Sequence, residues 1–436
     1  MKKRFLIVLL AALLLFSGCG KRSSATETPS ADPAPPAAET PPPAPEPTPM
    51  PTPVPAPTPE PTPVYDLNFT VAGQALSAST ESLDLTQASP EEIDRLIGVL
   101  PALTGLRSLT LGFASATEPL VSWERLHAIE AALPNVEIDY TFGISGYRFS
   151  LSDKVLNLNH ILFDDEGALV RQIARCMPNL RIIDMDSCGV SDEGMAAIRD
   201  EFPEVKVIWR VYFGRAYSAR TDVERLMMSN PDRDETVWTD DLLKGLYYCT
   251  KVKYLDLGHM SMITDVGYAA NMPDLEVLII AMTGVRNISA LANCPKLNFL
   301  EYQTSAACDL RPLAGLKSLK DLNICYDFAL RDIRPLYDLD LNRLWIGCLT
   351  PIPKDQIEEY KRLHPNCKVN TTTENPTEEE WRIRDDLYPP TAVDRYQQLY
   401  EEFEYGSFPM CYAYNENDPC FLGRFEYDEN GESPAV

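Results

Sequence analysis

Between Val252 and Ile346 the chain repeats one short pattern: apolar, two variable positions, apolar, one variable position, apolar. Five segments carry it, residues 252–257, 275–280, 297–302, 319–324 and 341–346. Their starts are 23, then 22, 22 and 22 residues apart. Six residues ending in apolar-x-apolar alternation are too few for a helix and fit a strand. Shorter motifs lie between them, Ile288-Ser289-Ala290-Leu291, Leu310-Arg311-Pro312-Leu313 and Ile333-Arg334-Pro335-Leu336, again 22 or 23 residues apart. Each turns the chain back towards the next strand. One such coil cannot bury its own apolar face, so neighbouring coils must stack.

A looser repeat precedes this block. Phe69-Thr70-Val71-Ala72-Gly73, Phe142-Gly143-Ile144-Ser145-Gly146 and Phe213-Gly214 head units of about 71 to 73 residues. Each unit holds about three strand-like coils. Residues 90–100 and 123–133 between them carry apolar side chains at helical i, i+3, i+4 spacing. Ser191 or Asp192 is expected to cap another helix. His364-Pro365-Asn366-Cys367-Lys368-Val369 echoes the earlier Leu133-Pro134-Asn135-Val136 turn and is expected to close the stack.

The strand and return motifs together resemble leucine-rich repeats, of the short 22-residue type found in bacterial internalin-like surface proteins. The resemblance covers most of residues 65–370. It implies an α/β solenoid, with parallel strands on a concave face and helices or extended turns on the convex face, used for binding rather than catalysis. The family's asparagine ladder is poorly kept. Thr283, Ser305 and Asp327 stand at its expected positions, which implies hydroxyl or carboxylate groups beneath the strands.

The N-terminus reads differently. Met1-Lys2-Lys3-Arg4 is basic, Phe5 to Phe16 is uncharged and apolar, and Ser17-Gly18-Cys19 is small. That order is a secretory signal. Phe16-Ser17-Gly18-Cys19 resembles the bacterial lipobox, with Phe16 in place of the more usual Leu. The resemblance implies cleavage before Cys19 and lipidation of its thiol, on the outer face of the cytoplasmic membrane. Seventeen of the 37 prolines then fall between Pro29 and Pro63. Such a stretch has too few large apolar residues for a core and favours an extended polyproline form, so it is expected to be a spacer. The expected division is a signal peptide (residues 1–18), a lipidated stalk (19–64), irregular repeats (65–250), regular repeats with an end cap (251–370) and a C-terminal helical and aromatic cap with a disordered tail (371–436).

A formal net charge of −25 argues against nucleic-acid binding and against an electrostatic grip on anionic lipid. Of eleven cysteines, Cys19 belongs to the anchor. Cys176, Cys249 and Cys294 recur in register with the repeat and read as small core residues. Cys411 and Cys420 lie outside the repeats and are the disulfide candidates. No CxxC pair, GxSxG, phosphate loop or paired histidine motif is present, and His127, His160, His259 and His364 stand singly. No enzyme, metal or cofactor is expected.

Strand side chains alternate, so with positions 1, 4 and 6 pointing inward, positions 3, 5, 7 and 8 are expected to point to the concave surface. The third column reads Tyr254, Val277, Phe299, Asp321, Arg343. The fifth reads Asp256, Ile279, Glu301, Asn323, Trp345. The eighth reads His259, Met282, Thr304, Tyr326, Cys348. An apolar patch of Tyr254, Val277, Ile279, Met282 and Phe299 on a solvent-facing sheet would mark an interaction site. The expected partner is an extracellular or envelope protein, or a glycan, with Asp256, His259, Glu301, Asn323, Tyr326, Arg343 and Trp345 around the patch. The alternatives are an accessory subunit presenting substrate to an envelope hydrolase and a ligand-free wall-spacing protein. A deep pocket of converging carboxylates would favour glycan chemistry. Burial of Tyr254, Phe299 and Trp345 would favour a ligand-free role or cover by the chain's own C-terminal segment. That segment carries a helix start at Asn375-Pro376-Thr377-Glu378-Glu379 and an amphipathic stretch over residues 391–404.

Overall fold

The computed structural model divides into two compact units, Met1–Pro63 and Val64–Val436. The described residues are 64–214, 217–228, 237–347, 349–372, 381 and 411–412, all in the second unit. Cys19, the stalk, the helix start at 375–379 and the stretch 391–404 lie outside them. Of the two disulfide candidates, Cys420 also lies outside, and Cys411 is described only in its backbone.

The second unit opens with a tight antiparallel hairpin, Thr70–Val71 against Gln74–Ala75. Ala72 and Gly73 both take positive φ (48° and 76°), the left-handed pair that matches the twist of a two-residue hairpin. Strands Ser82–Asp84, Ser108–Ser115 and Glu137–Ile144 then run parallel, and Tyr147–Ser150 folds back antiparallel on the last. The next unit repeats this order. Val155–Asn157, Ile182–Asp184 and Lys206–Ile208 run parallel. Arg210–Phe213 and Tyr217–Arg220 form the hairpin, and Cys411–Tyr412 adds a third antiparallel strand to it. The glycine turns that head each repeat in the sequence are therefore the tips of hairpins.

From Arg225 the interruptions stop. Seven strands, Arg225–Met227, Tyr254–Asp256, Val277–Ile279, Phe299–Glu301, Asp321–Asn323, Arg343–Trp345 and Lys368–Asn370, pair in sequence order, all parallel and without a register slip. Leu226, Leu255, Leu278, Leu300, Leu322, Leu344 and Val369 thus form one column. Positions 1, 4 and 6 of the five motif strands belong to a single large core cluster. The returns supply its other wall, in columns such as Val266-Ile288-Leu310-Ile333 and Met272-Cys294-Leu316-Leu339. This is a leucine-rich-repeat-type fold with parallel strands.

The two blocks return differently. The regular coils come back through short 3-10 turns, Gly267–Asn271, Ser289–Asn293, Arg311–Leu313 and Arg334–Leu336. The longer coils have room for α-helices: α1 (Pro90–Ile97), α2 (Trp123–Ala132), α3 (Ala168–Ala174) and α4 (Asp192–Glu201). Ser89 and Glu92 close α1 with a reciprocal capping box. Ser191, rather than Asp192, caps α4, its hydroxyl accepting the Gly194 N–H at 3.1 Å. A last helix, α5 (Lys354–Leu363), covers the end of the stack beneath strand Lys368–Asn370.

The ladder positions bind as the sequence implied. Thr283 Oγ1 and Ser305 Oγ both donate to the Ile280 carbonyl, at 2.7 and 3.0 Å, and Thr350 Oγ1 donates to the Ile324 carbonyl at 2.9 Å. Asp327 Oδ1 accepts the Ser305 N–H at 2.9 Å. Asp327 is fully buried, and that burial pushes its carboxyl well above the usual range, against the one backbone N–H.

Candidate functional site

The third and fifth positions of the regular strands are brought together, on the face opposite the leucine column. Tyr254, Val277 and Phe299 are register partners in adjacent strands, as are Asp256, Ile279 and Glu301, then Asp321 with Arg343 and Asn323 with Trp345. Tyr254, Val277, Ile279, Phe299 and Trp345 form a second apolar cluster, separate from the main core. The strand alternation is therefore as the sequence implied. The solvent-facing character is not. Every residue of the five strands is buried, including Tyr254, Phe299 and Trp345.

Trp381 is one reason. It is fully buried and joins this second cluster. Its ring centroid lies 5.3 Å from Phe299 and 5.3 Å from Trp345, tilted against both. The Arg343 guanidinium stands over it at 4.4 Å. Its indole N–H donates to Glu301 Oε1 at 2.6 Å, and its carbonyl accepts from Arg343 Nη1 at 3.1 Å. Arg343 is itself held by Asp321 Oδ1 at 2.7 Å, and Lys368 Nζ stands over the Trp345 ring at 5.9 Å. Each feature has a physical role. The aromatic walls remove the indole from water. Glu301 satisfies its N–H, which would otherwise cost about 1–3 kcal/mol buried. The desolvated cation over the ring adds on the order of 2 kcal/mol. The socket is thus built for an indole, and one from 36 residues beyond the last wall residue fills it: Trp345 to Trp381.

The eighth positions follow the strands, and of them Tyr326 packs against this second cluster. His259 is exposed, and Met282, Thr304 and Tyr326 are half-buried. All four take left-handed backbone, φ 65°, 59°, 54° and 59°, as His160 and Ser187 do in the earlier coils. Such residues rarely adopt that conformation. At three of them it is held because the N–H groups continue the ladder, His259 to the Ala281 carbonyl at 2.8 Å, Met282 to Gln303 at 2.9 Å and Thr304 to Cys325 at 2.8 Å. In the last coil the left-handed residue is Leu349, one place later than the spacing predicts, and Cys348 lies outside the described residues.

A second constellation escaped the sequence reading. Asp184, the last residue of strand Ile182–Asp184, and Asp186 just beyond it face two arginines that are register partners across a hairpin. Arg210 grips Asp186 with bonds of 2.7 and 2.9 Å and donates to Ser218 Oγ at 3.0 Å. Arg220 grips Asp184 at 3.1 and 3.2 Å. Asp222 joins through Arg220 and, at 2.8 Å, Lys206. Burial alone would raise the Asp222 carboxyl, but the two cations outweigh it and hold it below its usual range. These charges neutralise one another inside the fold. A cavity nearby is lined by Arg199, Glu204, Lys206, Asp222 and Lys251, a mixture of signs rather than converging carboxylates.

No protein-family model matches the chain, and no curated protein matches it. Among solved structures it is similar to an internalin, inlF, of Listeria monocytogenes, at 21% identity over 64% of this chain, with a TM-score of 0.30. This chain spans 66% of the length of that internalin. It is also similar to internalin C2 of the same organism, at 18% identity over 64% of this chain and 92% of that one, TM-score 0.28. A leucine-rich-repeat protein of Leptospira interrogans is 15% identical over 67% of this chain and 81% of that one, TM-score 0.29. Among the described residues no helix is long and apolar enough to cross a membrane.

Proposed function

We propose that this chain is a cell-envelope lipoprotein, anchored through Cys19, whose repeat domain binds a protein partner outside the cell through the concave ladder of residues 254–345. The observation that carries the reading is the Trp381 socket. Phe299, Trp345, Arg343 and Glu301 already hold an indole from a distant part of the chain by packing, cation–π contact and a hydrogen bond. Sockets of this chemistry are what interface anchors occupy. On this reading Trp381 is the resident occupant, a partner engages by displacing it, and His259, Met282 and Tyr326 at the eighth positions make first contact.

The burial of Tyr254, Phe299 and Trp345 favours a second reading, in which the face is permanently closed and the domain is a ligand-free spacer. One comparison separates the two. Envelope extract is passed over the full chain, a Trp381→Ala variant and a Trp381→Ala/Phe299→Ala/Trp345→Ala variant. Partner capture should rise in the first variant and fall in the second. Identical capture by all three would leave only the closed-face reading. The anchor is tested apart from this: Cys19→Ala should release the chain from membranes, and continued tight association would refute lipid attachment.

A further inference from the structure

The sequence places Cys176 in the core as a repeat-register residue, equivalent to Cys249 and Cys294. The three differ in their surroundings. Cys249 Sγ lies 3.6 Å from the Gly245 carbonyl and Cys294 Sγ 3.2 Å from the Ala269 carbonyl, and among the described residues neither belongs to a close group that holds both a histidine and a carboxylate. Cys176 has both. His127 and Glu130 stand three residues apart on α2, so they share a face of that helix. Cys176 follows α3 by two residues and reaches the start of α2, its thiol donating to the Trp123 carbonyl at 3.2 Å. One imidazole nitrogen, one carboxylate oxygen and the sulfur lie within 4.8 Å of one another. We propose that His127, Glu130 and Cys176 bind a zinc-class divalent ion that clamps α2 to the end of α3.

Three features support this. The donor set of nitrogen, sulfur and oxygen suits a borderline ion such as zinc, and the three donors already lie within 4.8 Å of one another. His127 Nδ1 lies 3.1 Å from the Arg175 carbonyl, which can only accept. That contact puts the hydrogen on Nδ1 and the lone pair on Nε2, the orientation a backbone carbonyl imposes on metal-binding histidines. Glu130 is half-buried with no hydrogen bond or ion pair to its carboxylate among the described residues. A cation would compensate that buried, unpartnered group. On binding, the Cys176 thiol loses its proton to solvent and its sulfur becomes a ligand, while no electron is transferred. Three protein donors leave a fourth position, on the side of the exposed His127, for water. The clamp joins α2, which follows strand Ser108–Ser115, to α3, which follows strand Val155–Asn157, and so ties together the first two irregular units.

The test uses the full chain, stripped of metal with chelator and titrated with cobalt(II) as a spectroscopic stand-in for zinc. One equivalent should produce a thiolate-to-cobalt charge-transfer band, displaced by zinc. Cys176→Ala should abolish the band. His127→Gln, on the surface and neutral to folding, should weaken binding at least about tenfold, as should Glu130→Gln, while Cys249→Ala should leave it unchanged. No band in the wild-type chain, or a band that survives both Cys176→Ala and His127→Gln at full affinity, would overturn the assignment.

Discussion

The two halves of the repeat region solve one problem in opposite ways. Both stack parallel strands, and both leave side chains on the face away from the leucine column. In the irregular half a hairpin interrupts every third strand, and the arginines of the third hairpin, Arg210 and Arg220, neutralise Asp186 and Asp184 from 24 and 36 residues away. In the regular half no hairpin intervenes, the face joins an apolar cluster to Glu301, Asp321 and Arg343, and Trp381 reaches its Glu301 partner from 80 residues away. A face closed by its own neighbouring hairpin cannot open without unfolding the coil. A face closed by a remote side chain can open while the coils stay stacked. That difference is why the proposed binding surface is placed in the regular half, although both faces are buried in the closed chain.

Breaking the local closure should have the largest effect. Arg210→Ala leaves Asp186 buried beside a broken pair and should cost about 3–5 kcal/mol of global stability, read from the denaturant midpoint. A loss under about 1 kcal/mol would mean the network is wetter than its burial indicates.

Next is a slope with pH, from Asp327 in the regular half. Its folded pKa is raised, so the folded state holds that proton more tightly than the unfolded state. Its stabilisation is therefore full below the ordinary carboxylate pKa of 3.8 and is lost as pH rises from there through the folded value. Asp327→Asn should flatten that slope and should gain most over wild type at high pH. Parallel pH profiles for the two chains would refute the burial argument.

Breaking the remote closure should act locally. Trp381→Ala should lower the free energy of opening the concave face by about 1–3 kcal/mol, seen as faster hydrogen exchange at the eighth positions, with a smaller change in the global midpoint. The smallest effect is a control in the irregular half: Ser191→Ala should cost about 1 kcal/mol through the lost cap on α4.

Much of this was legible in the sequence because repetition amplifies a weak signal. The spacing of Leu255, Leu278, Leu300, Leu322 and Leu344 gave strands, register and core at once, and alternation then placed Phe299 and Trp345 on the other face. Thr283 and Ser305 stood where a ladder needs hydroxyl donors. What does not repeat was not legible. Trp381 lies in a segment without periodicity, beside a proline and three glutamates that read as a helix start. The Arg210–Asp186 pair joins residues whose proximity depends on the open end of a hairpin falling beside a parallel strand. The left-handed backbone at His259, Met282 and Thr304 belongs to no residue preference; it comes from the next coil's carbonyls. The solvent exposure expected of the concave columns failed for the same reason as Trp381, since a pattern confined to the strands says nothing about what covers them.

The most direct test of the account asks whether the socket accepts an indole from outside. A peptide of residues 377–385 is titrated calorimetrically into the full-length Trp381→Ala chain. The account predicts one-site binding that disappears when the peptide carries alanine in place of its tryptophan, when the chain also carries Phe299→Ala, and when the chain is wild type with Trp381 in place. Absence of binding to a folded Trp381→Ala chain, or binding that ignores the peptide's tryptophan, would contradict it.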